Sequence, residues 1–190
     1  GFTAPRVSAG TYKVVLTKGK EKYETSVTLK YADNGISLAN RKEQERITKK
    51  LYDMTEELAY SVYKLDAMVD YAKMLNKKNG KAAKTTKYLI NELEALKKTM
   101  VITTGDNYVG SAEPELREKL STLYSKIAGT YDKPTPAEMD NLKTIETRFN
   151  KAMADFKAIK SKRFPKVAKF AEKNELPALD ILSFEEFLKK

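Results

Sequence analysis

The acidic side chains are the first candidates for chemistry in this chain, because its 190 residues include 26 acidic residues but no histidine and no cysteine. Two carboxylates on either side of a glycosidic bond can hydrolyse it when a defined distance separates them. The candidate pairs are Glu56 with Glu57 and Glu92 with Glu94, which flank apolar positions of predicted helices. Because the spacing sets no distance between the carboxylates, we interpret all four as solvated helix residues.

The composition excludes several further kinds of site. Di-iron and di-manganese bundles use Glu-x-x-His motifs, and zinc sites usually include His or Cys. Ser-His and Cys-His nucleophile pairs also require one of the missing residues. Gly105 and Gly110 lack the sequence context of a phosphate-binding loop. We therefore predict no catalytic residue, no cofactor and no metal ion, and no enzyme activity for this chain by itself.

Aromatic side chains could bind a ligand without catalysing a reaction. A tyrosine ring offers an apolar face with a polar tip, so tyrosines can line a surface for sugar or peptide, and they can also close the rim of a core. We favour rim packing for the tyrosines of the first two predicted helices and keep the ligand surface as the alternative. These are Tyr52, Tyr60, Tyr63, Tyr71 and Tyr88.

The net charge is +10, and many of the basic residues form two clusters. The first is expected at the turn between the first two helices and the second near the opposite end of the bundle. Two separated patches form a poor groove for nucleic acid, and lysines near helix ends offset the helix dipole. We interpret both as solvated faces and keep an anionic partner as the alternative. The clusters are Lys73, Lys77, Lys78, Lys81, Lys84 and Lys87, and Lys157, Lys160, Lys162, Arg163, Lys166, Lys169 and Lys173.

Alternating apolar and polar residues predict a β-hairpin within residues 1–33. Gly19 supplies the positive φ that a tight hairpin turn requires. Since a two-stranded hairpin cannot bury its own apolar face, its strands must pack on the helices or on further chain. The apolar face carries Tyr12, Val14 and Leu16 on one strand and Tyr23, Thr25, Val27, Leu29 and Tyr31 on the other.

Apolar residues at steps of three and four predict five helices between residues 37 and 176. Four long stripes with short connections predict a mainly α fold, an antiparallel up-down-up-down helical bundle with the hairpin at its N-terminus. The predicted helices cover about residues 40–78, 81–101, 113–129, 136–163 and 165–174.

Capping residues predict where the first three helices begin and end. Asn40 with Glu43 can start the first helix, and Ser37 is a competing start. Asn79-Gly80 ends it. The third helix is opened by Ser111 and Pro114, after a loop at residues 102–110 whose turn is Gly105-Asp106-Asn107.

The fourth helix has the clearest start. In Thr135-Pro136-Ala137-Glu138, Thr135 can cap the helix and Glu138 can close a capping box. Pro165 removes a helical hydrogen bond and crowds the preceding turn, so this helix is expected to end or kink near Arg163.

The predicted helices differ in length, and this limits how much of helix one the four-helix part can cover. Helices two and three are too short to cover all of helix one. We therefore expect the four-helix part to occupy the half near Asn79. The hairpin, the short fifth helix and the closing segment, residues 177–190, are then available to cover the early turns of helix one.

Several sequence segments together resemble one family. They are Pro5-Arg6-Val7, then Gly10-Thr11-Tyr12-Lys13-Val14-Val15-Leu16, a second strand that ends at Asp33, a long helix, and Phe170-Ala171-Glu172-Lys173-Asn174-Glu175-Leu176-Pro177. This order is similar to the C-terminal region of bacterial sortilin-like, BNR (Asp-box) β-propeller proteins, many of which are catalogued as glycosyl hydrolases.

The resemblance implies a larger parent protein. In that family a propeller precedes an immunoglobulin-like sandwich, and a helical tail follows. The hairpin would then be a remnant of the sandwich, and the chain a non-catalytic accessory or interaction domain of a secreted, periplasmic or cell-surface protein. Its partners would be the upstream domains and a protein or glycan; the parent's own activity stays open. The alternative is a free-standing basic helical domain that binds nucleic acid or another anionic partner.

Two further expectations concern the ends of the chain and membranes. The chain begins at Gly1 rather than Met, so we expect it to be a piece of a longer protein. No apolar run approaches the ~20 residues that a transmembrane helix needs, so we predict no membrane span.

Overall fold

The computed structural model describes residues 4–103 and 115–189. The protein is mainly helical with an N-terminal antiparallel β-hairpin, which confirms this much of the predicted fold class. A 3-10 turn, Gly80–Ala82, separates the first two helices. The elements are β1 Gly10–Lys18, β2 Glu21–Leu29, α1 Leu38–Lys78, α2 Ala83–Met100, α3 Leu116–Ala128, α4 Pro136–Lys173 and the short α5 Phe184–Phe187.

The hairpin has the predicted turn and faces. Gly19 adopts a φ of 61°, a left-handed conformation that glycine reaches without a side-chain clash. In the strand register Tyr12 lies opposite Val27 and Leu16 opposite Tyr23, so the apolar residues of both strands share one side.

Helix α1 begins earlier than Asn40. Ser37 is the N-cap, and its hydroxyl oxygen accepts a hydrogen bond from the Asn40 N–H at 3.2 Å. The Asn40 side chain instead donates to Asp132 at 2.6 Å. The helix ends at Asn79, whose N–H donates to the Leu75 carbonyl at 2.8 Å. The competing start at Ser37 is therefore correct.

Within the described residues, the N-cap of α3 is Glu115, which forms a capping box with Glu118. The predicted opening at Ser111 and Pro114 and the predicted turn Gly105-Asp106-Asn107 lie outside the described residues.

Helix α4 starts as predicted and ends later. Thr135 and Glu138 form the capping box, with the Thr135 N–H donating to Glu138 Oε2 at 2.8 Å. The predicted end or kink near Arg163, with a separate helix from residue 165, is wrong, because α4 continues through Pro165 to Lys173. Pro165 and Ser161, whose carbonyl loses its helical donor, are both exposed to water. Beyond the proline, burial of Val167 and Ala171 holds the helix on the core.

The two long helices run in the same direction. Along both helices the residue numbers of contacting pairs rise together. In an up-down-up-down bundle the first and fourth helices run in opposite directions, so that predicted arrangement is wrong. The pairs are Ser61 Oγ with Met153 Sδ at 3.4 Å, the rings of Tyr71 and Phe164 at 6.3 Å, and Asn79 Nδ2 with Asn174 Oδ1 at 3.1 Å.

Helices α2 and α3 are both antiparallel to α1 and pack one after the other along its length. Helix α2 contacts the C-terminal half of α1 and α3 the N-terminal half. The reason is length: α1 has 41 residues, or about 60 Å, whereas α2 has 18 and α3 has 13. The early turns of α1 are therefore covered by α3. The pairs are Asn76 with Thr86 at 2.7 Å, Asp66 with Lys97 at 2.7 Å, Gln44 with Ile127 at 2.8 Å and the rings of Tyr52 and Tyr124 at 6.3 Å.

One apolar core lies between these helices. Its members fall on the predicted stripes, at steps of three and four. Fully buried members include Ile47, Leu51, Leu58, Leu65, Leu75, Leu89, Leu93, Leu120, Leu123 and Ile145.

Candidate interaction surfaces

The hairpin extends its apolar face into solvent. Val14 is 45% exposed, Leu16 64%, Tyr23 54% and Val27 43%. Among the described core residues none comes from β1 or β2. We expected either the helices or further chain to cover this face. Within the described residues the helices do not cover it.

The root of the hairpin, by contrast, is held firmly to α1. Glu45 accepts hydrogen bonds from Ser8 Oγ at 2.7 Å and from the Tyr31 hydroxyl at 2.8 Å. Burial and the bond to Glu45 raise the pKa of Tyr31. The Tyr12 hydroxyl donates to the Ser8 carbonyl at 2.6 Å. Both strands thus connect to one carboxylate on α1.

A buried arginine completes the root. Arg41 is only 6% exposed, and it donates to the Ala32 carbonyl at 2.9 Å and to the Asn34 side chain. Its guanidinium lies 5.2 Å from the ring centroid of Tyr31 and 5.6 Å from that of Tyr131. Sequence reasoning missed Arg41, which lies at the first turn of α1. It fixes the chain between β2 and α1.

A cavity of about 970 Å³ lies beside this root, between α1 and α3. Three polar groups of its lining are already paired: Gln44 Nε2 donates to the Ile127 carbonyl at 2.8 Å, and Arg41 and Glu45 are bonded as above. These groups bind other parts of the same chain, and their hydrogen bonds therefore hold the hairpin in place.

Three of the four candidate carboxylates interact with residues outside their pairs. Glu92 accepts from Arg163 Nε at 3.0 Å, and this bond lowers the pKa of Glu92. Glu94 pairs with Lys73 at 2.7 Å. Glu56 raises the pKa of Tyr52 through a hydrogen bond, and Glu57 is exposed. Within the described ranges no group of three or more acidic, His or Cys side chains is placed to hold a metal ion.

Three of the predicted tyrosines hold the chain's own closing segment. The Tyr71 hydroxyl donates to the Pro177 carbonyl at 2.7 Å, and the Tyr60 hydroxyl to the Leu182 carbonyl at 2.9 Å. The rings of Tyr63 and Phe187 are 5.2 Å apart. These tyrosines therefore bind a peptide, and that peptide is the segment that runs back along α1.

A Schellman motif at the end of α4 reverses the chain into this segment. The Leu176 N–H donates to the Ala171 carbonyl at 2.9 Å, and the Glu175 N–H to the Glu172 carbonyl at 3.1 Å. Glu175 adopts a φ of 52°, which a glycine would tolerate better.

Tyr88 differs from the other tyrosines. It is 58% exposed, and its ring lies 5.2 Å from the Arg163 guanidinium. Tyr52, in comparison, packs on Tyr124 with ring centroids 6.3 Å apart. Among the five predicted tyrosines, Tyr88 alone offers most of its surface to solvent.

The two lysine clusters lie at the same end of the molecule. Asn79, which follows α1, contacts Asn174, which follows α4, at 3.1 Å. The expectation that the second cluster lies near the opposite end is therefore wrong. The two clusters lie together because α1 and α4 run in parallel, which brings the C-termini of both helices to the same end.

Comparison with known proteins found no relative: no protein-family model, curated protein or solved structure matches the chain. Across the described residues, no helix is both long and apolar enough to cross a membrane.

Proposed function

We propose that this chain is a non-catalytic accessory and interaction domain of a larger exported protein, and that its hairpin docks on the preceding part of that protein. The observation that carries the proposal is the solvent-exposed apolar face of a hairpin whose root is firmly held. The location of the protein outside the cytoplasm rests on the resemblance to propeller proteins alone.

Exposed apolar side chains in a regular β-face favour a partner. Burying a Val, Leu or aromatic side chain contributes roughly 1.5–3 kcal/mol each. Val14, Leu16 and Val27 stand on one side of the hairpin, so a second sheet could bury them together. The hairpin also has two unpaired edges, which further strands can join.

The root determines how the hairpin is presented. Arg41 and Glu45 connect both ends of the hairpin to α1, so the strands leave the helical body in one direction. In the proposed parent this would fix an immunoglobulin-like sandwich relative to the helices. The helical body would then carry any contact to a protein or glycan partner.

The test compares two adjacent residues in two lengths of chain. Leu16 lies on the apolar face, and Val15, 46% exposed, lies on the other. In the chain as given, Leu16→Lys and Val15→Lys should both change the free energy of unfolding by less than about 0.5 kcal/mol.

In a chain extended upstream by one domain, Leu16→Lys should cost more than about 2 kcal/mol while Val15→Lys stays nearly silent. Hydrogen exchange should slow at the β1 and β2 amides, with α1 amides as the control. Equal effects of both substitutions in the longer chain would refute docking through this face. A reading frame that starts within a few residues of Gly1 would refute the parent protein.

A further inference from the structure

The end of the molecule where α1 and α4 terminate is strongly basic. Lysines that are far apart in sequence meet there, because α2 turns back from α1 while α4 arrives in parallel with α1. This end lies about 50–55 Å from the root of the hairpin at Arg41 and Glu45, given their positions along α1. A function here is therefore separate from docking through the hairpin.

One flank of α4 carries lysines at steps of four, three and four, which places them on the same side of the helix. They are Lys162, Lys166, Lys169 and Lys173, and all four are exposed. Helix α2 runs beside this flank, joined to it near its middle by the Arg163–Glu92 ion pair, and its first two turns add Lys84 and Tyr88. We call this surface the basic face.

Within the described part of the chain the lysines of the basic face form no salt bridge, although Lys162 lies close enough to Glu92 to contribute, after Arg163, to lowering the pKa of that carboxylate. Elsewhere exposed lysines pair, as Lys49 does with Asp53 at 2.7 Å. Glu92 is paired with Arg163 and Glu94 with Lys73, so the acids near this end that form no salt bridge among the described residues include Asp70, Glu172 and Glu175. An unneutralised row of ammonium groups attracts a polyanion and releases its counterions on binding.

Tyr88 adds a feature that charge attraction does not require. Its ring is 58% exposed among the lysines, and the Arg163 guanidinium contacts it at 5.2 Å. An exposed aromatic ring in a basic surface stacks nucleobases, whatever their sequence. Bases are free to stack in this way in single strands and are enclosed in duplexes.

We propose that the basic face binds single-stranded nucleic acid, with phosphates on Lys84, Lys162 and Lys166 and a base stacked on Tyr88. Lysines are point donors, and the guanidinium of Arg163 is held by Glu92, so the binding is tolerant of sequence. A sulfated glycan or an anionic membrane would use the same charges, so heparin and anionic vesicles are the competing ligands in the test.

The experiment measures anisotropy of a labelled oligo(dT) of about 20 nucleotides, titrated with the whole chain at several salt concentrations. The triple variant Lys84→Ala, Lys162→Ala, Lys166→Ala should weaken binding about tenfold or more and reduce the salt slope by about 2. The matched control removes three exposed lysines at the other end: Lys42→Ala, Lys126→Ala and Lys143→Ala. It should lose much less affinity.

Tyrosine variants separate stacking from charge. Tyr88→Ala should weaken binding about tenfold, and Tyr88→Phe, which keeps the ring, should bind like the parent chain. A duplex of equal length should bind more weakly than the single strand. Circular dichroism checks that each variant is folded.

Several results would overturn the proposal. They are no binding at low salt, equal losses in the two lysine triples, a silent Tyr88→Ala, and tighter binding of duplex, heparin or anionic vesicles than of oligo(dT).

Discussion

The hairpin and the helical body carry similar apolar side chains in regular patterns, yet they bury them very differently. Leu16 on β1 is 64% exposed, whereas Leu58 on α1 is 1% exposed. Helices of one chain can surround a shared core, but two strands form a single layer with nothing opposite. An amphipathic pattern therefore predicts which side of an element is apolar, and the number of available layers decides whether that side is buried.

The largest expected effect tests this difference directly with one substitution at two places. Leu58→Asp would bury a charge in the core and should cost several kcal/mol, enough to unfold the chain or nearly so. Leu16→Asp should change stability by less than about 0.5 kcal/mol. Urea unfolding followed by circular dichroism measures both. A large loss from Leu16→Asp would mean that the hairpin contributes to the core.

The next effect concerns the connection between the two regions. Arg41→Met removes the hydrogen bonds to Ala32 and Asn34 and should cost about 2 kcal/mol. It should also speed hydrogen exchange of the amides in residues 30–36 more than that of the α1 amides. Lys42→Met, at the exposed neighbouring position, is the control. If the two variants behaved alike, Arg41 would not be what holds the root.

Two tight turns offer a smaller contrast. The hairpin turn has glycine at its left-handed position, but the turn after α4 has Glu175, with a φ of 52°. Glu175→Gly should therefore stabilise the chain by up to about 1 kcal/mol. Glu172→Gly, inside α4, should destabilise it by a similar amount. A thermal melt that ranks these variants the other way would contradict the Schellman motif.

The closing segment gives a pH-dependent contrast between buried and exposed tyrosine. Burial raises the pKa of Tyr71, so the folded state holds this proton more tightly than the unfolded state. The stabilisation is present below the ordinary tyrosine pKa of about 10 and is lost as the pH rises through the higher folded value. Tyr71→Phe should flatten the decline of stability above about pH 10. Tyr131→Phe, at a 48% exposed residue, is the matched control for the loss of a tyrosine hydroxyl.

The smallest effect is expected on the outer side of α4. Burial lowers the pKa of Lys64, and the charge of the exposed Lys160 lowers that pKa further. Lys160→Ala should therefore change stability by less than about 0.5 kcal/mol, and in the stabilising direction. A loss comparable to that of Arg41→Met would mean that this lysine packs on the body.

The success of sequence reasoning depended on the range of the interaction. The Gly19 turn, the Thr135 cap and the apolar stripes follow from neighbours within four residues, and all were predicted. The end or kink predicted near Arg163 was wrong, because burial of Val167 and Ala171 outweighs the one hydrogen bond that Pro165 removes at an exposed position. The hairpin face was found, but Arg41, which holds its root, was missed because its partners come from other elements.

By itself the sequence determined the helical and strand segments, the apolar side of each, and the absence of histidine and cysteine chemistry. Only the tertiary structure decided that α1 and α4 run in parallel, that α2 and α3 pack one after the other along α1, and that Lys84 joins lysines of the second cluster in one basic face. The periodicity of a stripe is the same in either direction along a helix. Helix lengths and packing between distant segments therefore set the course of the chain, and with it which charges meet.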